Sequence, residues 1–178
     1  MDGQQQRRKG PPVFNSPMSG TAALLPMDGF HYDDLHLVPA GLRPRKGAPE
    51  TFDVGGLRPA LLRLRAADEP FVAVPVFDRA VEIARAGARL IPATASVIVC
   101  EGNWLLLDQE PWSALRPLFD ATVMIDVPEP VLRERLRARW EHYNLDEAGI
   151  AWKLDGNDLP NGRLVRDGSA PADWTIPG

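Results

Sequence analysis

The chain has 178 residues, 44% hydrophobic and 25% charged, with a formal net charge of −4. That is enough for one domain with a real core, and the acidic balance excludes general nucleic-acid or anionic-membrane binding, leaving only local basic patches. The lone cysteine, Cys100, excludes a disulfide framework and fits a reducing cytoplasm, while no apolar run reaches membrane-span length and the amino terminus lacks the apolar stretch of a secretory signal.

Residues 1–20, "MDGQQQRRKGPPVFNSPMSG", are polar and then rich in Pro, Gly and Ser. They read as a flexible arm, followed by one domain over 21–178. Four short apolar runs come next: "TAALLP", "FVAVPVF", "ASVIVC" and "ATVMIDV". They are nearly continuous rather than alternating, the pattern of parallel strands covered on both faces. Helical patterns lie between them. Leu57, Leu61 and Leu64 recur at i, i+4 and i+7, with Pro59 leaving the start of that helix open. Pro111 opens a short helix carrying Trp112 and Leu115, and Pro117 ends it. Pro130 suits the first turn of "VLRERLRARWEHY", in which Leu132, Leu136 and Trp140 form one stripe. Further on, "LDEAGIAWKL" reads as a helix, "DGNDLPNGRL" as turns and "PADWTI" as a last short strand. Strands alternating with helices predict an α/β fold, a doubly wound and mostly parallel sheet flanked by helices.

In such a sheet, ligands bind beyond the carboxyl ends of the strands. Three strand ends carry polar residues: Asp28 and His31 after the first, Asp78 and Arg79 after the second, Glu101, Gly102 and Asn103 after the third. Asp28, within "LLPMDGFHYDD", has the chemistry of a general base for a substrate hydroxyl. Glu101 has the chemistry to hold Mg²⁺ directly or through water. Gly29 and Gly102 fit places where backbone turns or approaches a ligand closely. The segment "RPRKGAPETFD" holds Arg43, Arg45, Lys46, Glu50 and Asp53; it reads either as a solvated surface loop or as a clamp for phosphate or sugar. Arg135 and Arg139 share one helix face, and Arg133 and Arg137 another. That helix is either solvated, pairing with Glu129, Glu134 and Glu141, or a lid whose arginines neutralise a transferring phosphoryl group. His31, His36 and His142 lack metal-ligand spacing, which argues against zinc. His31 remains open between a pocket residue and a hydrogen-bonded structural one. No G-x-S-x-G element occurs, and Cys100 lacks an activating setting.

From about Ala22 to Ile176, these segments resemble the uridine kinase, phosphoribulokinase and bacterial pantothenate kinase family of P-loop kinases. "MDGFHYDD" is similar to the family's strand-end acid motif, "RKGAPETFD" to a pantothenate-kinase-type segment, and "VPVFDR" to the substrate-side element. "EGNWLLL" resembles the third strand end, "IDVPEPVLRERLRARW" the lid entry, and "GNDLPNGRLV" with "PADWTI" the tail. The resemblance implies a P-loop NTPase-like fold, ATP and Mg²⁺ as cofactors, a small-molecule acceptor and a cytoplasmic location. It implies that Asp28 is the catalytic base and that Glu101 acts catalytically beside Mg²⁺. It puts His31, Arg45, Lys46, Asp78 and Arg79 on the substrate side, Arg135 and Arg139 at the phosphates, and Asn157 and Asn161 towards the nucleotide base. Relatives vary in oligomeric state, and a homodimer is compatible with it.

One departure is large: the sequence contains no G-x-x-x-x-G-K-[ST]. That loop's backbone N–H groups wrap the phosphates, its Lys reaches the β- and γ-phosphates, and its Ser or Thr holds Mg²⁺. The expectation is therefore an incomplete kinase-like domain without the first strand, phosphate loop and first helix, with unpaired strand edges, a marginal fold and impaired transfer. The alternatives are a non-catalytic remnant that binds a metabolite or a protein partner, and a truncated or mis-started gene product.

Overall fold

The computed structural model describes residues 22–178; the arm predicted for 1–20 lies outside the described residues. Two parallel pairs of strands carry the α/β character. Strand β1 (Ala22–Pro26) runs beside β4 (Val97–Glu101), with Pro26 opposite Glu101. Strand β5 (Val123–Asp126) runs beside β6 (Trp174–Pro177), the short strand expected from "PADWTI".

The run "FVAVPVF" departs from expectation. It forms β2 (Phe71–Asp78), which pairs antiparallel with β3 (Ile83–Pro92) rather than joining a parallel sheet. Phe71 and Ala73 are exposed while Val72 and Val74 are buried, so the strand has one wet face despite its apolar composition. That is how an antiparallel hairpin sits on a core. The chain reverses at residues 79–82, where Glu82 takes a left-handed conformation with φ 56°. The partner strand, "IARAGARLIP", has too little apolar periodicity to announce itself.

Helix α1 (Asp34–Leu37) is a single turn capped by Asp33, whose Oδ1 accepts from the Leu35 N–H at 2.8 Å. Helix α2 (Val54–Ala66) starts at Asp53, whose Oδ1 accepts from the Gly56 N–H at 2.8 Å, and ends where Ala67 turns left-handed. Pro59 falls inside it without ending it. Pro111 precedes a 3₁₀ turn over Trp112–Leu118, with Pro117 inside the turn rather than beyond it.

The long basic run forms α3 (Glu129–His142). Helix α4 (Glu147–Lys153) continues through a π turn at Leu154–Asp158 into α5 (Leu159–Gly168). The turn-rich "DGNDLPNGRL" is thus helical, another correction. Pro160 follows the π turn directly, at the second residue of α5. Gly162 lets α3 come close, since a Cβ there would lie 2.8 Å from Leu132 Cδ2.

The main core gathers Leu25, Met27, Leu57, Val74, Trp104 and Leu115, under β1, the hairpin and α2. A smaller cluster packs Ile150, Leu154 and Leu159 against the predicted stripe of Leu132, Leu136 and Trp140. Among the described residues no helix is long and apolar enough to cross a membrane.

Candidate active site

The parallel pairing of β1 and β4 brings their carboxyl ends to one rim, so Asp28 and Glu101 come together. Past Pro26 the chain enters a 3₁₀ turn, Met27–Phe30. Gly29 is required there: a Cβ would stand 2.4 Å from the Pro75 carbonyl oxygen of β2. Gly102, after Glu101, faces the same constraint, with a Cβ 2.4 Å from Met27 Cβ. Both glycines permit close approach, as expected, but to the protein's own chain.

Arg79, at the hairpin turn, ion-pairs with Asp28 through Nη2 and Oδ2 and lies over the Phe77 ring, 5.6 Å from its centre. Glu101 sits near both. Partial loss of hydration and then the Asp28 charge push its pKa above the usual carboxylate range, against the pull of Arg79 and Arg89. Arg89 donates from Nη1 to the Leu24 carbonyl at 2.8 Å, tying β3 across β1.

His31 stands behind Asp28. Its Nδ1 lies 2.8 Å from the Asp28 carbonyl, and its ring packs between Phe52 and Phe77 with centroids 4.0 and 4.7 Å away. Burial lowers its pKa, outweighing the Asp28 carbonyl and charge that favour the cation. The residue therefore combines the two readings left open: a bonded, packed histidine immediately beside the candidate base.

Lys46 also joins this rim. Its side chain is only 6% exposed, and Nζ donates to Asp34 Oδ1 and to the Glu82 carbonyl, both at 2.7 Å. It lies 5.4 Å from the Phe77 ring centre. Arg43 holds the other Asp34 oxygen at 2.6 Å. Burial resists ionisation of Asp34, but these two cations outweigh it and hold the pKa low. Sequence reasoning did not single out Asp34 as a site residue; its spacing from Arg43 and Lys46 only becomes contact through the loop. Buried Trp104 supports that loop from below, donating from Nε1 to the Gly47 carbonyl at 3.0 Å.

Other predicted positions fall elsewhere. Arg45 pairs with Glu50 at 2.7 Å on the surface. Asp78 pairs with Arg85 at 2.7 Å across the hairpin, and that bond holds its pKa down. On α3, Arg133 pairs with Asp155 and Arg137 with Glu141 and Glu147. Arg135 and Arg139 are exposed and have no carboxylate partner among the described residues; Arg139 lies over Trp140. Asn157 and Asn161 are buried, and Asn161 Nδ2 donates to Asn157 Oδ1 at 3.3 Å. Asn157 lies in the π turn that ends at Asp158, which accepts from Trp140 Nε1 at 2.6 Å. As placed, these amides join the packing of α3 against α5. Burial pushes the Cys100 thiol up to about 12, so it stays protonated and inert.

A groove of about 430 Å³ runs beside the His31 strip, between it and the wet face of the hairpin. Tyr32, Asp33, Asp53, Ala73, Ala84 and Gly87 are among its lining residues.

Parallel strands flanked by helices, with acids and arginines gathered at strand ends, are where α/β proteins in general bind their ligands. No family model matches the chain. It is 44% identical over 115 residues to the uncharacterized protein YggC of Escherichia coli K12, covering 65% of this chain and 46% of YggC. It is 30% identical over 161 residues to the ATP-dependent kinase-like protein notR' of Aspergillus versicolor, covering 85% of this chain and 94% of notR'. The crystal structure of a "putative fructose transport system kinase" from Silicibacter sp. TM1040 superposes with a TM-score of 0.83 at 41% identity, covering 88% of this chain and 75% of that one. The chain thus spans about half the length of YggC and nearly all of notR'. It belongs to the P-loop kinase family that includes these kinase-like proteins.

Proposed function

We propose that the chain carries the acceptor-side chemistry of an ATP-dependent phosphotransferase acting on a hydroxyl of a small metabolite such as pantothenate, a nucleoside or a sugar. The observation that carries this reading is the meeting of Asp28 and Glu101 at one rim with Arg79 beside them. Asp28 takes the proton of the acceptor hydroxyl as the bond to phosphorus forms. Glu101 is the residue to hold Mg²⁺, and Mg²⁺-ATP, when bound, supplies the phosphoryl group and neutralises its charge. Glu101 would offer Mg²⁺ one carboxylate, in keeping with the ion's habit of taking one or two carboxylates and filling its shell with water and phosphate. Arg135 and Arg139, the unpaired arginines of α3, are the candidates for phosphate contact.

The triphosphate fits less well than the metal. The sequence supplies no G-x-x-x-x-G-K-[ST], so transfer by the 178-residue chain is expected to be impaired. The same gap favours a second reading, a non-catalytic relative that binds a metabolite or a protein partner. Calorimetry with Mg-ATP, together with an ADP-release assay over a panel of hydroxylated acceptors, separates the two. On the first reading Asp28→Asn lowers turnover roughly 10²–10⁴-fold and leaves nucleotide binding intact, while Arg135→Gln with Arg139→Gln weakens Mg-ATP. Absence of Mg-ATP heat alongside retained acceptor binding selects the second reading. Turnover unchanged by Asp28→Asn removes that residue as the base.

A further inference from the structure

We infer that Lys46 is a positioning residue: it fastens the hairpin turn, residues 79–82, and so holds Arg79 on the carboxylate of Asp28. The fastening stands on contacts alone; its consequence for phosphoryl transfer rests on the reading of Asp28 as the base.

The turn is gripped at both ends from one short segment. At its first residue, Arg79 bonds Asp28 Oδ2. At its last, the Glu82 carbonyl accepts from Lys46 Nζ at 2.7 Å, and the same ammonium bonds Asp34 Oδ1 at 2.7 Å. Asp28 and Asp34 both belong to the stretch that follows β1. The other bonds of the turn are internal to the hairpin. The Ala80 N–H donates to Asp78 Oδ1, the Val81 N–H to the Asp78 carbonyl, and Asp78 pairs with Arg85. These shape the turn without tying it to the rest of the chain.

The two grips are unequal. The Arg79 and Asp28 side chains are 49% and 32% exposed, and an ion pair so open to water holds little by itself. The Lys46 side chain is only 6% exposed, and a cation that dry is costly to leave without its partners. Its footing is fixed as well. Gly47, the next residue, has φ 103°, donates its N–H to Thr51 Oγ1 at 2.9 Å and accepts from Trp104 Nε1 at 3.0 Å; Thr51 and Trp104 are both buried. Arg43 holds the second oxygen of Asp34. The firm grip is therefore the one on Glu82. The ring of Phe77 lies between the two, with Lys46 5.4 Å and Arg79 5.6 Å from its centre and His31 packed against it. Lys46 sets where the turn sits, and Arg79 reaches Asp28 from there.

For the base, this fixes an orientation. Arg79 takes Oδ2, and no described residue bonds Oδ1, so one carboxylate oxygen is held while the other is left to accept a hydroxyl proton. Without Lys46, Arg79 hangs on a turn tied only by its own exposed pair, and the carboxylate loses its fixed partner.

The test is a set of double-mutant cycles on folding equilibria, with neither nucleotide nor acceptor present. In the otherwise unaltered chain, Arg79→Gln should lower the folding constant about 2–5-fold more with Asp28 in place than in Asp28→Asn. In a Lys46→Met background that coupling should vanish, and Lys46→Arg should restore part of it. Arg63→Gln, which breaks a comparably exposed pair with Glu69, should leave it unchanged. Stability lost in Lys46→Met with the coupling intact would make Lys46 structural only and overturn the inference, as would absence of coupling in the unaltered chain. If Lys46→Met does not fold, Asp34→Ala, which takes one partner from the ammonium, should weaken the coupling, and an undiminished coupling there overturns the inference. Failure of the kinase reading looks different: a coupling that depends on Lys46, with no phosphoryl transfer.

Discussion

Around Asp28 the apolar side chains are covered: Leu25, Met27, Phe30, Val72 and Val74 are buried, and Trp104 and Trp112 close the core beneath them. Along β4, β5 and β6 the reverse holds, with Val97, Val99, Val123, Ile125, Trp174 and Ile176 exposed, Ile125 at 65%. Both regions are built from similar sequence, short runs of Val, Ile and Leu. The difference is in what lies against them. The first is roofed by α2, the hairpin and the 43–53 loop; the strands of the second bury no side chain, where parallel strands are ordinarily covered on both faces. A strand and helix bearing a phosphate loop would add that kind of cover, and the sequence holds no such loop. The region around Asp28 is covered on the side that packs, and the strands β4, β5 and β6 leave apolar side chains in water.

The contrast can be broken most directly in the core. Trp104→Ala should cost about 3–5 kcal/mol, from the cavity and the lost bond to the Gly47 carbonyl, read by urea unfolding. A cost under ~1 kcal/mol would mean that the region around Asp28 is no better packed than the rest.

A smaller loss is expected from Asp34→Ala, which leaves the Lys46 ammonium buried with only the Glu82 carbonyl. Discounted for the partial exposure of Asp34, about 1–3 kcal/mol is expected. The contribution has a pH signature. The Asp34 pKa is depressed in the folded chain, so its stabilisation is present above the ordinary carboxylate value and disappears as pH falls through the folded one. Asp34→Asn should flatten the acid limb of the melting curve, and an unaltered limb would show that the Lys46 contact is idle.

Histidine 31 gives a weaker effect at milder pH. The unfolded imidazole takes up a proton near 6.5, the buried one only at lower pH, so the melting temperature should fall as pH drops below about 6.5. His31→Gln should remove that part of the fall. Equal pH dependence with and without the imidazole would mean that it is not buried as placed.

The smallest effects belong to the open strands. Val99→Thr and Ile125→Thr should change stability by less than about 0.5 kcal/mol, since both side chains already meet water, yet lower self-association in light scattering by weakening an exposed strand surface. Destabilisation comparable to Trp104→Ala would show that this face is covered in solution.

Much of this was readable along the chain. The runs ending at Asp28 and Glu101, the stripe Leu132–Leu136–Trp140 and the final strand are local patterns of residue type, legible before anything is known of what packs against them. The hairpin was not readable. Its second strand is mostly Ala, Arg and Gly, and its first was apolar throughout, so only the pairing of Ala73 with Leu90 and Phe71 with Pro92, all exposed, revealed a wet face. Nor was α5, because Asn, Asp, Gly and Pro signal turns unless packing against α3 overrides them.

The candidate site divides along the same line. Residue chemistry at strand ends singled out Asp28, His31, Arg79 and Glu101, because acids and cations interrupting apolar runs are costly unless they face a rim. What tertiary structure alone decided was which partners meet: Arg79 on Asp28, Lys46 on Asp34, and Arg133 on Asp155 while Arg135 has no carboxylate partner among the described residues. Those contacts join residues far apart in the chain, Asp28 to Arg79 across 51 positions. Contact over such separations depends on how the strands cross, which no local pattern encodes.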